Sequence, residues 1–326
     1  MALMANNSRM PTWTYPAKLL LFGEYAVIDG GDGLAMSWPE HGARWVPPGE
    51  EEASDPEGRA VRREQLGAFT RWLRSDAPDD ATADLDLERL DKDTAMGWWL
   101  AGDMRAGYGL GSSGAACAAI VDRYGDWRDL GSRAMQARFA AMENFFHGSS
   151  SGLDPLVAYL GRGAGADQLM LRYGAGPLPE RCQRRLADKP VWHAFLVDAG
   201  YARRTAPLVD GFRRRREDPA YVAALQEHLL PANADAMEAF LAGAAAPFGH
   251  ALQRLSSATF TLLEPMVAPE WRAAWALGLQ GAPEDAPGIL KLCGAGGGGY
   301  GFVWTTRPEA AKAALGDLVL TPVLSV

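Results

Sequence analysis

The sequence predicts two α/β or α+β domains packed side by side. The chain has 326 residues, 48% of them hydrophobic, more than a single core usually needs. Short apolar runs of strand length mix with long Ala/Leu-rich helical stretches in both halves. A Gly- and Pro-rich stretch, residues 161–179, separates the halves and marks the junction, giving domains 1–170 and 171–326.

Taken in order, Leu19–Phe22 and Ala26–Ile28 are apolar runs separated by Gly23-Glu24 and closed by glycines, which predicts a hairpin or strand-turn-strand. Residues 47–60 and 75–93 are charged and weakly periodic, so they read as loops around one amphipathic helix, Arg63–Leu73. The run after Ser113 is small and apolar and predicts a helix ended by Gly125. From Ser132 to Phe146, residues Met135, Phe139, Met142 and Phe146 recur at helical spacing as a core stripe. The turn His147–Gly152 leads into a further helix that begins near Asp154. The second half predicts a strand at Trp192–Val197, helices at Pro219–Ala242 and Ala251–Val267, and strands flanking the glycine run Gly294–Gly301. A helix, Glu309–Leu315, and a strand, Leu318–Val323, complete it.

Composition narrows the function. A net charge of −8 argues against nucleic-acid binding, which draws on clustered Lys/Arg. The one basic cluster, Arg213–Arg216, runs straight into Glu217 and Asp218 and reads as a solvated helix face. Three widely spaced cysteines indicate neither a disulfide framework nor a zinc site. No apolar stretch reaches membrane-spanning length and the N-terminus has no signal-like apolar region, so the expectation is a cytoplasmic protein with no membrane partner.

The chemistry concentrates around Gly107, Tyr108, Gly109, Leu110, Gly111, Ser112, Ser113 and Gly114. Such a Gly/Ser loop opening a helix can aim several N–H groups and a helix dipole at one spot, which suits a polyphosphate. Chemistry on a nucleotide needs a divalent metal held by hard oxygens, and Ser113 with Glu143 can supply two. Asp154 is either a catalytic carboxylate or a helix N-terminal cap. Lys18 precedes an apolar strand; within about 4 to 6 Å of Asp154 it would keep that carboxylate ionised and could meet phosphate, and otherwise it snorkels to water.

The order of these features resembles the GHMP kinase superfamily, whose three motifs match Ala17–Gly30, Gly107–Ala116 and Leu292–Gly301. The resemblance implies an α+β fold made of an N-terminal ribosomal-protein-S5-like domain and a C-terminal ferredoxin-like domain. It further implies ATP wrapped by the second motif, Mg2+ as cofactor, and support from Gly294, Gly296, Gly297 and Gly298 of the third.

Within the superfamily, ENFFHGSSSGLD is similar to the mevalonate kinase segment running from a magnesium-binding glutamate to the catalytic aspartate. That match makes Glu143 and Ser113 metal ligands and Asp154 and Lys18 catalytic. It places Glu24, Tyr25, His147, Arg203 and Thr205 at the substrate, with Arg203 for a carboxylate. The implied reaction is phosphorylation of the 5-hydroxyl of mevalonate, in isoprenoid biosynthesis. The oligomeric state stays open, with a homodimer as one option. Tyr25 stands where mevalonate kinases commonly have His, and tyrosine there also occurs in phosphomevalonate kinases, which makes that activity the alternative. A catalytically silent nucleotide-binding member is another, and joint retention of Lys18, Ser113, Glu143 and Asp154 speaks against it.

Overall fold

The computed structural model describes residues 14–50, 56–148, 150–163, 168–174, 179–185, 191–202, 205–316, 318 and 320–325. In chain order the first half holds β1 (Tyr15–Phe22), β2 (Gly33–Val46), α1 (Pro56–Ser75), α2 (Asp79–Thr82), α3 (Leu87–Ala95), β3 (Trp99–Gly102), α4 (Ser112–Tyr124), α5 (Ser132–His147) and α6 (Leu153–Leu160). The strands β4 (Met170–Tyr173), β5 (Glu180–Cys182) and β6 (His193–Asp198) follow. After them come α7 (Thr205–Arg215), α8 (Pro219–Ala224), α9 (Leu230–Ala242), α10 (Ala245–Leu262) and α11 (Arg272–Gly278). The chain closes with β7 (Ile289–Leu292), β8 (Tyr300–Thr305), α12 (Pro308–Leu315) and β9 (Leu320–Ser325).

Two sheets organise these elements, one ordered β1-β2-β4-β5 with β3 on β2, the other β7-β8-β6-β9. By contacts the chain divides into two compact units, neither of which is continuous in sequence. The first comprises residues 1–17, 37–104 and 111–168, and the second 18–36, 105–110 and 169–326. Among the described residues no helix is long and apolar enough to cross a membrane.

In the first unit, β2 pairs antiparallel with β3 from Ala43↔Gly102 to Val46↔Trp99. Val46, Trp99 and Ala101 are buried together, as the alternation of a half-buried strand requires. Helix α4 is built of small residues, and Ala115, Cys117, Ala118, Ala119 and Ile120 are fully buried, which lets α5 and α6 come close to it. The stripe on α5 is core at Met135, Phe139 and Met142, with Phe139 against the rings of Trp127 and Tyr159. Gly152 makes the α5–α6 approach possible: it takes a left-handed φ of 69° as the N-cap of α6, and a Cβ there would lie 2.0 Å from the Gln136 carbonyl oxygen.

In the second unit, β8 pairs antiparallel with both β6 and β7, and β6 with β9. Phe240, Phe248 and Trp304 pack edge-on or tilted with centroids 5.0–6.0 Å apart and form the aromatic centre of this core.

Several expectations need correction. Ala26–Asp29 is a 3-10 turn, because Tyr25 sits at φ 60° and the chain bends instead of extending. The 75–93 segment is helical at α2 and α3: Asp86 caps α3 by accepting the Arg89 N–H at 2.9 Å, and Leu90 is buried. Helix α1 runs well beyond Arg63–Leu73, starting at a proline, a residue the first turn tolerates. The Pro219–Ala242 helix is interrupted by a π turn, Leu225–Leu229. Pro231 has no N–H for the Glu227 carbonyl, and the widened turn absorbs that loss. Strand β2 is hidden in the sequence by Pro39 and Gly42, and β4 and β5 lie in and beside the Gly/Pro-rich stretch read as a junction.

Candidate active site

The first unit gathers Ser112, Ser113, Gly114, Glu143, His147 and Asp154. A left-handed turn at Gly111 opens α4, so Ser112, Ser113 and Gly114 occupy its first turn, where N–H groups have no intrahelical acceptor. Glu143 comes from the penultimate turn of α5 and is 3% exposed. It is held on both oxygens: the Ser113 hydroxyl donates to Oε1 at 2.8 Å and the Ser150 hydroxyl to Oε2 at 2.5 Å. The Gly152 N–H donates in turn to Ser150 Oγ at 3.0 Å.

His147 Nε2 lies 2.9 Å from Ser113 Oγ. Desolvation lowers the pKa of His147, against the charge of Asp154, which raises it. Asp154 stands in the first turn of α6, and the N-cap position belongs to Gly152, so the capping alternative does not hold. Gly114 packs against the backbone at Asp154: a Cβ there would lie 2.7 Å from both Asp154 C and Pro155 N. The absence of a side chain at Gly114 therefore sets how close α6 comes to α4.

The second unit gathers Lys18, Glu24, Tyr25, residues 107–110 and the third glycine motif. Lys18 is 6% exposed within β1, so it is not a snorkelling edge lysine, and its N–H donates to the Leu110 carbonyl at 2.9 Å. The Tyr300 N–H reaches the Tyr108 carbonyl at 3.4 Å, with the two rings edge-on at 5.2 Å. The buried Glu24 carboxylate accepts from the ammonium of Lys291 and from the Gly294 N–H. Burial pushes its pKa up, opposed by the Lys291 charge and these hydrogen bonds. Tyr25 donates its hydroxyl to the Ala295 carbonyl at 2.7 Å and packs its ring 4.8 Å from Phe212. Within the motif, Gly296, Gly297 and Gly298 follow Ala295, and the Gly297 N–H donates to the Met266 carbonyl. Thr205 opens α7 at an exposed position, and Arg203 lies outside the described residues.

Two participants escaped the sequence reading. Lys291 is a lone charge inside the apolar run ILKLC, and that isolation is the signal that could have found it. Ser150 sat in a turn read only as a connection. Cys293, next to Lys291, is buried and its thiol is pushed up to about 11 by desolvation, against the nearby charges of Lys18 and Lys291.

Magnesium can be tested against these donors. Among the described residues no group of three or more His, Cys, Asp or Glu is placed to hold a metal. One carboxylate and the Ser113 hydroxyl fit an ion that keeps several waters and takes its other ligands from phosphates, as Mg2+ does.

Residues 81–162 match the model of the GHMP kinases N-terminal domain. Solved structures with the same fold include L. major mevalonate kinase in complex with R-mevalonate, at 16% identity over 95% of each chain with a TM-score of 0.62. Lactococcus lactis galactokinase complexed with galactose aligns at 14% identity over 95% of this chain and 92% of that one, TM-score 0.58. Streptococcus pneumoniae phosphomevalonate kinase in complex with phosphomevalonate and AMPPNP aligns at 15% over 96% and 98%, TM-score 0.56. No curated protein matches the sequence significantly. The chain has the two-sheet α+β fold of these GHMP kinase structures over about 95% of its length, and residues 81–162 match the GHMP kinases N-terminal domain. These neighbours are named for different acceptors, so the shared fold does not single out one substrate.

Proposed function

We propose that the chain is an ATP- and Mg2+-dependent kinase that transfers the γ-phosphoryl group to the primary 5-hydroxyl of mevalonate. The observation that carries this reading is the Ser113–Glu143 pair at the start of α4, with Asp154 packed against Gly114 in the same unit. The N–H groups of the first turn of α4, which have no intrahelical acceptor, cradle the phosphates. Ser113 and Glu143 would hold Mg2+, which would supply neutralisation of the phosphate charge.

Asp154 orients the acceptor hydroxyl and takes its proton as the new O–P bond forms and the bond from Pγ to the β-bridging oxygen breaks, releasing ADP. Lys18 stabilises the charge that spreads over the transferring group. The resemblance assigns Arg203, outside the described residues, and Thr205 to the substrate, with Arg203 for its carboxylate. Domains bounded at 1–170 and 171–326 carry the ATP-binding and C-terminal halves of this machinery.

The resemblance of Glu143–Asp154 to the mevalonate kinase segment favours this acceptor. Tyr25, the residue that raised phosphomevalonate as an alternative, is committed to Ala295 and Phe212, a bracing role that carries no preference between acceptors. The test is ADP release from Mg-ATP with (R)-mevalonate, 5-phosphomevalonate, galactose or no acceptor. ADP formed with mevalonate alone supports the reading; turnover only with another acceptor overturns the substrate, and silence with all of them overturns the activity.

A further inference from the structure

The Ser113–Glu143 pair is held from two outside positions. Ser113 has one hydroxyl proton, and the structure directs it to Glu143 Oε1. The hydrogen in the 2.9 Å contact between Ser113 Oγ and His147 therefore belongs to imidazole Nε2, which donates to the serine. At the other end Ser150 donates to Glu143 Oε2 while accepting the Gly152 N–H, so its proton too has one direction. The result is a relay with no free rotor: Nε2–H to Ser113, Ser113 to Oε1, Ser150 to Oε2, backbone to Ser150. All of its members lie in the first unit.

We propose that His147 and Ser150 are positioning residues for the metal site, acting through Ser113 and Glu143, and that neither contacts the substrate. The inference rests on the kinase reading above, in which Ser113 and Glu143 are the metal ligands. The hydrogen bonds fix both carboxylate oxygens and the serine hydroxyl in direction, so this pair of donors is set in place without first reorganising. Groups of this kind, which orient a ligand without touching the metal, govern its affinity. His147, read from sequence as a substrate residue, is thus reassigned to Ser113 by its geometry.

Ser150→Ala and His147→Leu each remove one end of the relay. Ser150→Thr keeps a hydroxyl, and His147→Gln keeps an N–H donor at the reach of Nε2. The readout is binding of the β,γ-imido analogue of ATP by the full chain, titrated with Mg2+ and repeated in EDTA, with thermal unfolding to establish that each variant is folded. The Ala and Leu variants are expected to need about tenfold more Mg2+ for half-maximal binding. Their metal-free affinity should stay unchanged, and the Thr and Gln variants should stay near wild type. Wild-type Mg2+ dependence in the Ala and Leu variants overturns the proposal, as does equal loss with and without metal, which would mean a merely structural role. A wild-type protein whose binding ignores Mg2+ would instead overturn the kinase reading beneath it.

Discussion

The ammonium of Lys291, 1% exposed on β7, pairs with the carboxylate of Glu24, 9% exposed just after β1, and ties the first glycine-bearing motif to the strand that leads into the third. Lys291 also donates to the Leu292 carbonyl at 2.8 Å and lies 5.7 Å and 5.5 Å from the ring centroids of Phe22 and Phe302. Such a pair costs desolvation on both sides, so its contribution shows chiefly when one partner is lost.

Lys291→Met should therefore destabilise the protein by about 3–5 kcal/mol, since Glu24 would stay buried without a cation. The double variant Lys291→Met/Glu24→Gln should recover much of that loss. Urea unfolding of the four proteins in a double-mutant cycle measures the coupling, and strictly additive losses would rule it out.

Gly114→Ala tests the contact between α4 and α6. Alanine favours the helix, yet its Cβ would meet Asp154 and Pro155 backbone atoms at 2.7 Å, which cannot swing aside as a side-chain tip can. The expected variant is folded, with turnover reduced about 100-fold by misplacement of Asp154 and nucleotide affinity changed far less. Steady-state kinetics with separate nucleotide binding reads both; unchanged turnover would show that this approach does not position the carboxylate.

His41 gives a pH prediction away from the proposed chemistry. Its Nδ1 lies 2.7 Å from Asp103 Oδ2, and the hydrogen bond to Asp103 raises its pKa, opposed by partial burial and aided by the charges of Asp103 and Glu40. A raised folded pKa means the stabilisation is fully present below the unfolded value of about 6.5 and is lost as pH rises through the folded value. Both side chains are about a third exposed, so the effect should stay below about 1 kcal/mol. The difference in unfolding temperature between wild type and His41→Gln should shrink from about pH 5.5 to about pH 9. A difference that grows over this range would reverse the sign.

The turn that opens α4, α4 with its Gly125 stop, the α5 core stripe and the strands around the third glycine run were legible because periodicity and turn residues agree there. The β2 strand was not, since Pro39 and Gly42 read as breakers and its pairing with β1, β3 and β4 overrides them. The pairing of Glu143 with Ser113 was anticipated as shared metal binding, but Ser150 and Lys291 were invisible as partners. Their roles depend on which side chains meet across 7 and 267 residues of chain, and spacing carries no such information.

If Asp154 takes the proton of the acceptor hydroxyl, phosphorus NMR of Mg-ATP with (R)-mevalonate will separate wild type from Asp154→Asn. A new phosphomonoester resonance is expected with wild type and almost none with Asp154→Asn, although that variant still folds and binds the magnesium nucleotide. Product formed by Asp154→Asn at a rate close to wild type would remove Asp154 from the reaction.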